Sequence, residues 1–158
     1  MKGYVTRNVS FALTCLAVLT TCHRVERLSS ASAIGQLEGR CVELRQPMFL
    51  LESGGSKSAD TYLSPVTDGG NAGQGALTRV EAGQQFVVNR VLLETTFEDR
   101  QVNVVSDGRE NRSVALTLLF RPAWLAAARR TASGSTADSV RSIDDALDPK
   151  LAKWCDAR

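Results

Sequence analysis

The chain has 158 residues, 43% of them hydrophobic and 23% charged, with only 4 prolines, which is enough apolar material for one globular domain and too little length for two. That balance excludes disordered, collagen-like and coiled-coil classes. Lys2 and Arg7 account for the formal charge of +2, so the rest of the chain is neutral and lacks the electrostatic footprint of a nucleic-acid binder.

Met1 to Asn8 contains Lys2 and Arg7 and no acid, and Val9 to Thr21 is an uncharged run with Phe11, Leu13, Leu16, Val18 and Leu19. The run ends at Arg24, short of the roughly 20 residues of a membrane-spanning helix, and the layout is that of an export signal. Leu19-Thr20-Thr21-Cys22 resembles the lipobox of bacterial lipoproteins, with Thr21 standing where that family carries Gly, Ala or Ser. The resemblance implies a signal peptide over 1–21, diacylglycerol on the Cys22 thiol, and a periplasmic protein held to a membrane by its N-terminal lipid. By the same resemblance, Arg24 is not the aspartate associated with inner-membrane retention, which implies the outer membrane. Two other readings of this segment stay open: ordinary signal cleavage at Ala31-Ser32-Ala33, and a buried N-terminal helix of a cytosolic protein.

Of the 4 cysteines, Cys15 and Cys22 belong to the export segment and Cys41 and Cys155 remain in the mature chain. In an oxidising compartment one Cys41–Cys155 disulfide is the simplest outcome, against two free buried thiols. With His23 as the single histidine and no CxxC, no metal site and no cofactor are expected.

Residues 22–39, beginning at the candidate lipidated Cys22, read as a flexible polar tether, and residues 40–158 as a single β-rich domain. Val42, Leu44, Met48 and Leu50 share one parity, predicting a half-buried strand that Pro47 places at an edge or bulge. Ser53 to Ala59 reads as a loop and Thr61 to Ser64 as a short strand closed by Pro65. Thr67 to Gly75 has four glycines, too many for a regular element. Its polar side chains Asp68, Asn71 and Gln74 form a candidate partner-binding loop.

Ala76 to Val80 and Gln85 to Thr95 are the next strands. The second is apolar on both parities, as in a central strand covered on two faces. Gln101 to Ser106 and Arg112 to Phe120 form a predicted hairpin around Asp107-Gly108. Pairing residue 106 with 110 sets Val102 beside Val114, whereas a two-residue loop sets Val102 beside Ser113, so the longer loop is preferred. Val114, Leu116, Leu118 and Phe120 then continue the buried face.

From about residue 122 the pattern turns helical. Pro122 suits a first helical turn, and Arg129 and Arg130 suit the negative end of an alanine-rich helix. Ser139 to Leu147 predicts a short amphipathic helix, and Asp148-Pro149 a further helix start bringing Leu151, Trp154 and Cys155 back onto the body. Trp124 and Trp154 are expected to pack helices on strands. The fold class is therefore mainly β: a small antiparallel β-barrel or sandwich with short C-terminal α-helices.

With His23 assigned to the tether, the domain has no base for Ser/His/Asp or Cys/His catalysis. A carboxylate-dependent hydrolase needs two acids in one cleft, drawn from Glu81, Glu94, Glu98, Asp99, Asp107 and Glu110. Arg90, Arg109, Arg112, Arg129 and Arg130 can grip anions but read first as solvated surface pairs. The glycine segment lacks the ending of a phosphate-binding loop. Short strands and turns in an exported chain resemble SH3-like wall-binding modules, without a motif specific to them. The expectation is a non-catalytic envelope lipoprotein that binds a protein or cell-wall partner. The alternative is an immunity or inhibitor lipoprotein acting on a toxin or lytic enzyme.

Overall fold

A computed structural model of the chain describes residues 23–28, 32, 34–53, 58–65, 78–97, 99–108, 112–134 and 142–155. The signal segment, Cys22 and the loop residues Asp68, Asn71 and Gln74 lie outside the described residues. The architecture is mainly β, with two sheets and one α-helix among the described residues. Neither sheet closes on itself.

The described residues of the predicted tether are instead part of the fold. Strand β1 (Arg24–Arg27) lies at one edge of the larger sheet, antiparallel to β7 (Arg90–Thr95), with Arg24 opposite Thr95 and Arg27 opposite Leu92. A 3₁₀ turn at Gly35–Leu37 follows, and Ile34 and Leu37 are fully buried in the core. The apolar residues of this stretch are too widely spaced to give a helix or strand period, so sequence patterning misses them. Glu38 fixes the stretch in place. Its carboxylate accepts two hydrogen bonds from the Arg27 guanidinium, at 3.0 and 2.7 Å, and one from the Val91 backbone N–H at 3.2 Å. The hydrogen-bonded Arg27 holds that carboxyl below its usual range.

Two strands predicted as single elements are corners that pass from one sheet to the other. The stretch Val42 to Leu50 divides at residues 45–47 into β2 (Cys41–Leu44) and β3 (Met48–Glu52). The stretch Gln85 to Thr95 divides at Val88 and Asn89 into β6 (Gln85–Val87) and β7. The smaller sheet has the order β10-β2-β6, where β10 is Ala152–Trp154. Unbroken apolar patterning through both corners disguises them, because residues on each side of a corner face the same core.

The larger sheet runs β1-β7-β8-β9-β4-β3-β5, with β4 at Thr61–Ser64, β5 at Thr78–Val80, β8 at Arg100–Asp107 and β9 at Ser113–Ala115. Every pairing is antiparallel except β4 with β9. The predicted hairpin forms with a shifted register. Ser106 faces Val114 rather than Glu110, and Val102 lies opposite Leu93 of β7. The shift is an even number of residues, so Val102 and Val114 still belong to the core-facing side. After Leu116 the strand gives way to a 3₁₀ turn at Thr117–Leu119, which rotates Leu119 into the core and leaves Leu118 47% exposed. The expected alternation therefore fails at Leu118.

Helix α1 (Pro122–Ala132) opens on Pro122 and carries Arg129 and Arg130 in its last turn. Trp124 is buried beside Phe120, and Trp154 meets Phe120 edge-on, so the two indoles join helix and smaller sheet. Of the second predicted helix, residues 142–147 are described and form only a 3₁₀ turn at Ile143–Asp145. The helix expected after Asp148-Pro149 is β10, paired along β2 with Trp154 opposite Val42. That pairing brings Cys155 to Cys41, and the two are disulfide-bonded with Cα atoms 5.3 Å apart and 114 positions of chain between them.

Candidate functional site

Strand β7 is covered on both faces, as its composition predicts: Val91 and Leu93 enter the main core, and Leu92 joins a small cluster with Ala59 and Val105 on the opposite face. Glu94 follows Leu92 on that second face and is only 3% exposed. An ionised side chain is stable there only if donors replace the lost water, and four side chains converge to do so. Ser58 Oγ donates at 2.5 Å, Asn103 Nδ2 at 2.7 Å and Gln101 Nε2 at 3.5 Å to one carboxylate oxygen, while His23 Nε2 lies 2.6 Å from the other.

Burial alone pushes the Glu94 carboxyl up, but the Ser58 and His23 hydrogen bonds, the His23 charge interaction and Gln101 outweigh it, and the net direction is down. Glu94 is thereby kept as a carboxylate. The order of groups also matters chemically. In a nucleophilic triad the imidazole stands between hydroxyl and carboxylate, whereas here both the serine and the histidine contact the carboxylate between them. Ser58 donates to the carboxylate itself rather than to an imidazole, and the ionised Glu94 is an acceptor rather than a proton donor.

The other described acids proposed for two-carboxylate chemistry are dispersed. Asp99 accepts from Arg129 Nη1 at 3.0 Å, Asp107 from Arg90 Nη2 at 2.8 Å, and Glu81 pairs with Arg79 at 3.1 Å. Glu98, Arg109 and Glu110 lie outside the described residues. Two acids that sequence reading passed over do share a cleft. Glu52 and Asp60 line a 330 Å³ recess with Ser53, Thr61 and Arg112, where β3 ends and β4 begins. Asp60 there accepts hydrogen bonds from the Ser113 backbone N–H and hydroxyl, both at 2.8 Å, and these with nearby Arg112 and Arg90 hold its carboxyl low. It is an ionised acceptor that ties β4 to β9, unsuited to the acid half of a hydrolytic pair.

A second cleft, of 560 Å³, lies between the β7–β8 turn and the end of α1, and is lined by Thr95, Thr96, Phe97, Asp99, Arg100, Arg129, Arg130 and Ser133. Three guanidiniums border it with one described carboxylate. Phe97 is 87% exposed on its rim. Sequence reading identified Arg129 and Arg130 as a helix end but had no means of bringing Arg100 to them, since that proximity comes from α1 packing against β8. Among the described residues, no cluster of three or more His, Cys, Asp or Glu side chains can hold a metal ion, and no helix is long and apolar enough to cross a membrane. No family model matches the chain, and neither a curated protein nor a solved structure matches it.

Proposed function

We propose that this chain is an exported cell-envelope lipoprotein, anchored through Cys22 on the periplasmic side of the outer membrane, whose β domain is a non-catalytic module binding a protein or cell-wall partner. The observation that carries the reading is the Cys41–Cys155 bridge, because disulfides persist in oxidising compartments and are rare in reducing ones. The lipobox-like Leu19-Thr20-Thr21-Cys22 supplies the address. Binding is favoured over hydrolysis because Glu94 is an occupied, ionised acceptor, Asp99 and Asp107 are engaged by arginines, and Asp60 is engaged by Ser113. The two sheets share one hydrophobic core, and the two surface clefts are candidate places for a partner.

The test is intact mass and native alkylation of the protein recovered from envelopes, followed by cross-linking in the intact envelope. The expected mature species lacks residues 1–21, carries a diacylglyceryl adduct, and exposes Cys41 and Cys155 to alkylation only after reduction. Cross-links to one envelope protein or to peptidoglycan support the binding role. Full-length cytosolic material beginning at Met1, with both thiols reactive under native conditions, overturns the reading.

A further inference from the structure

We propose that the end of the larger sheet bearing the β7–β8 turn is a membrane-contact face for anionic phospholipid, on which the domain rests flush. This inference deepens the lipid-anchor reading of Cys22 and rests on it. The described chain begins at this end: Arg24 lies opposite Thr95, and His23 is held 2.6 Å from the buried Glu94 carboxylate. An acyl anchor on Cys22 is therefore a single peptide step, about 3.8 Å between Cα atoms, from a residue fixed to the fold. No tether spaces the domain from the bilayer.

What this end presents matches a bilayer surface. Phe97 is 87% exposed, far more than Val87 and Leu118, the other large exposed apolar residues among the described residues. Beside it, Arg100, Arg129 and Arg130 line one cleft with Asp99, and the sequence adds Glu98 to the same turn. An aromatic side chain flanked by guanidiniums suits the boundary between acyl chains and headgroups, with arginines meeting phosphate oxygens in their forked geometry. A single exposed apolar residue is ordinary on a soluble protein. Its coincidence with the arginines and with the point where the chain enters the fold is the basis of the assignment.

The test uses the mature protein as envelopes deliver it, its mass recording whether Cys22 is acylated, on phosphatidylcholine vesicles with and without one-third phosphatidylglycerol. An F97W variant is read by quenching from lipids brominated in their acyl chains, with wild-type protein supplying the background of Trp124 and Trp154. Quenching roughly threefold above background is expected in anionic vesicles, falling at least about twofold when R130E is added or when salt is raised to about 0.5 M. An introduced indole that is quenched by aqueous iodide and untouched by brominated lipid overturns the contact, and an acyl adduct in the same sample leaves the anchor reading standing. If the adduct is absent, the anchor reading fails by itself. The face then stands only if the unacylated protein sediments with anionic vesicles through Phe97, and falls with the anchor if it does not.

Discussion

Replacing Glu94 tests whether the cluster on the second face of β7 is held together by an ionised carboxylate. In E94A the hydroxyl of Ser58 and the amide of Asn103, both buried, lose their shared acceptor, and His23 loses its partner. Leaving buried donors without an acceptor costs about 1–3 kcal/mol each, less where another partner is kept, as Asn103 Nδ2 keeps Ser58 Oγ at 3.1 Å. A net loss of about 4 kcal/mol is expected, within the range for breaking a buried charged network. E94Q keeps the shape and one oxygen. With that oxygen toward Ser58 and Asn103, the amide faces His23, whose neutral imidazole can accept, and the loss falls to about 2 kcal/mol.

The pH dependence has a definite sign. The folded Glu94 carboxyl lies below its ordinary value, so its contribution is complete above the unfolded value of about 4.3 and disappears as pH falls through the folded value. Urea unfolding of the disulfide-intact protein at pH 7, 5 and 4 is the assay, with midpoints and slopes compared. The gap between wild type and E94Q should be complete at pH 7 and shrink as the pH falls through the folded value of Glu94. An E94A protein within about 0.5 kcal/mol of wild type, or a gap that widens on acidification, refutes the reasoning.

Reducing the Cys41–Cys155 bond, or replacing both residues by serine, should destabilise the protein by about 4–5 kcal/mol from the loop length of 114 residues, read as a drop in thermal midpoint with and without reductant. Leu119→Ala should cost about 3 kcal/mol and Leu118→Ala less than about 0.5 kcal/mol, since the 3₁₀ turn buries the first completely and leaves the second 47% exposed; equal losses in urea titrations would refute the placement of that turn. Gly83 sits at φ +85° with open space on the side where a Cβ would stand, so Gly83→Ala should lose about 1 kcal/mol through backbone conformation alone, measured by the same titration.

How far the sequence disclosed this arrangement depended on whether a feature was local. Thr61 to Ser64 and the Pro122 helix were legible because alternation, a following proline and an alanine-rich run specify them within a few residues. The two-faced coverage of β7 was legible from apolar residues on both parities. The sheet corners at 45–47 and 88–89 were not, because hydrophobic parity records facing and carries no signal for a change of sheet. β10 was read as a helix since Asp148-Pro149 is a sound local start signal, and pairing with β2 overrode it. For the candidate site, the sequence offers Glu94 only as one of six acids on or beside strands and turns, with nothing to set it apart or to announce its donors. Nothing local could name them, since His23 is 71 positions away and Ser58 is 36.

The three-stranded sheet has a consequence for how the polypeptide acquires its shape. Its members come from residues 41–44, 85–87 and 152–154, and the strand at its centre is the earliest of the three to be synthesised. On a ribosome or emerging from a translocation pore, that strand has one flank unsatisfied until the residues around 152 arrive. Completion of the native state is thus postponed to the final stage of delivery, the slow and non-local assembly expected of such pairings, and sulfur oxidation can only seal what that last strand has already docked.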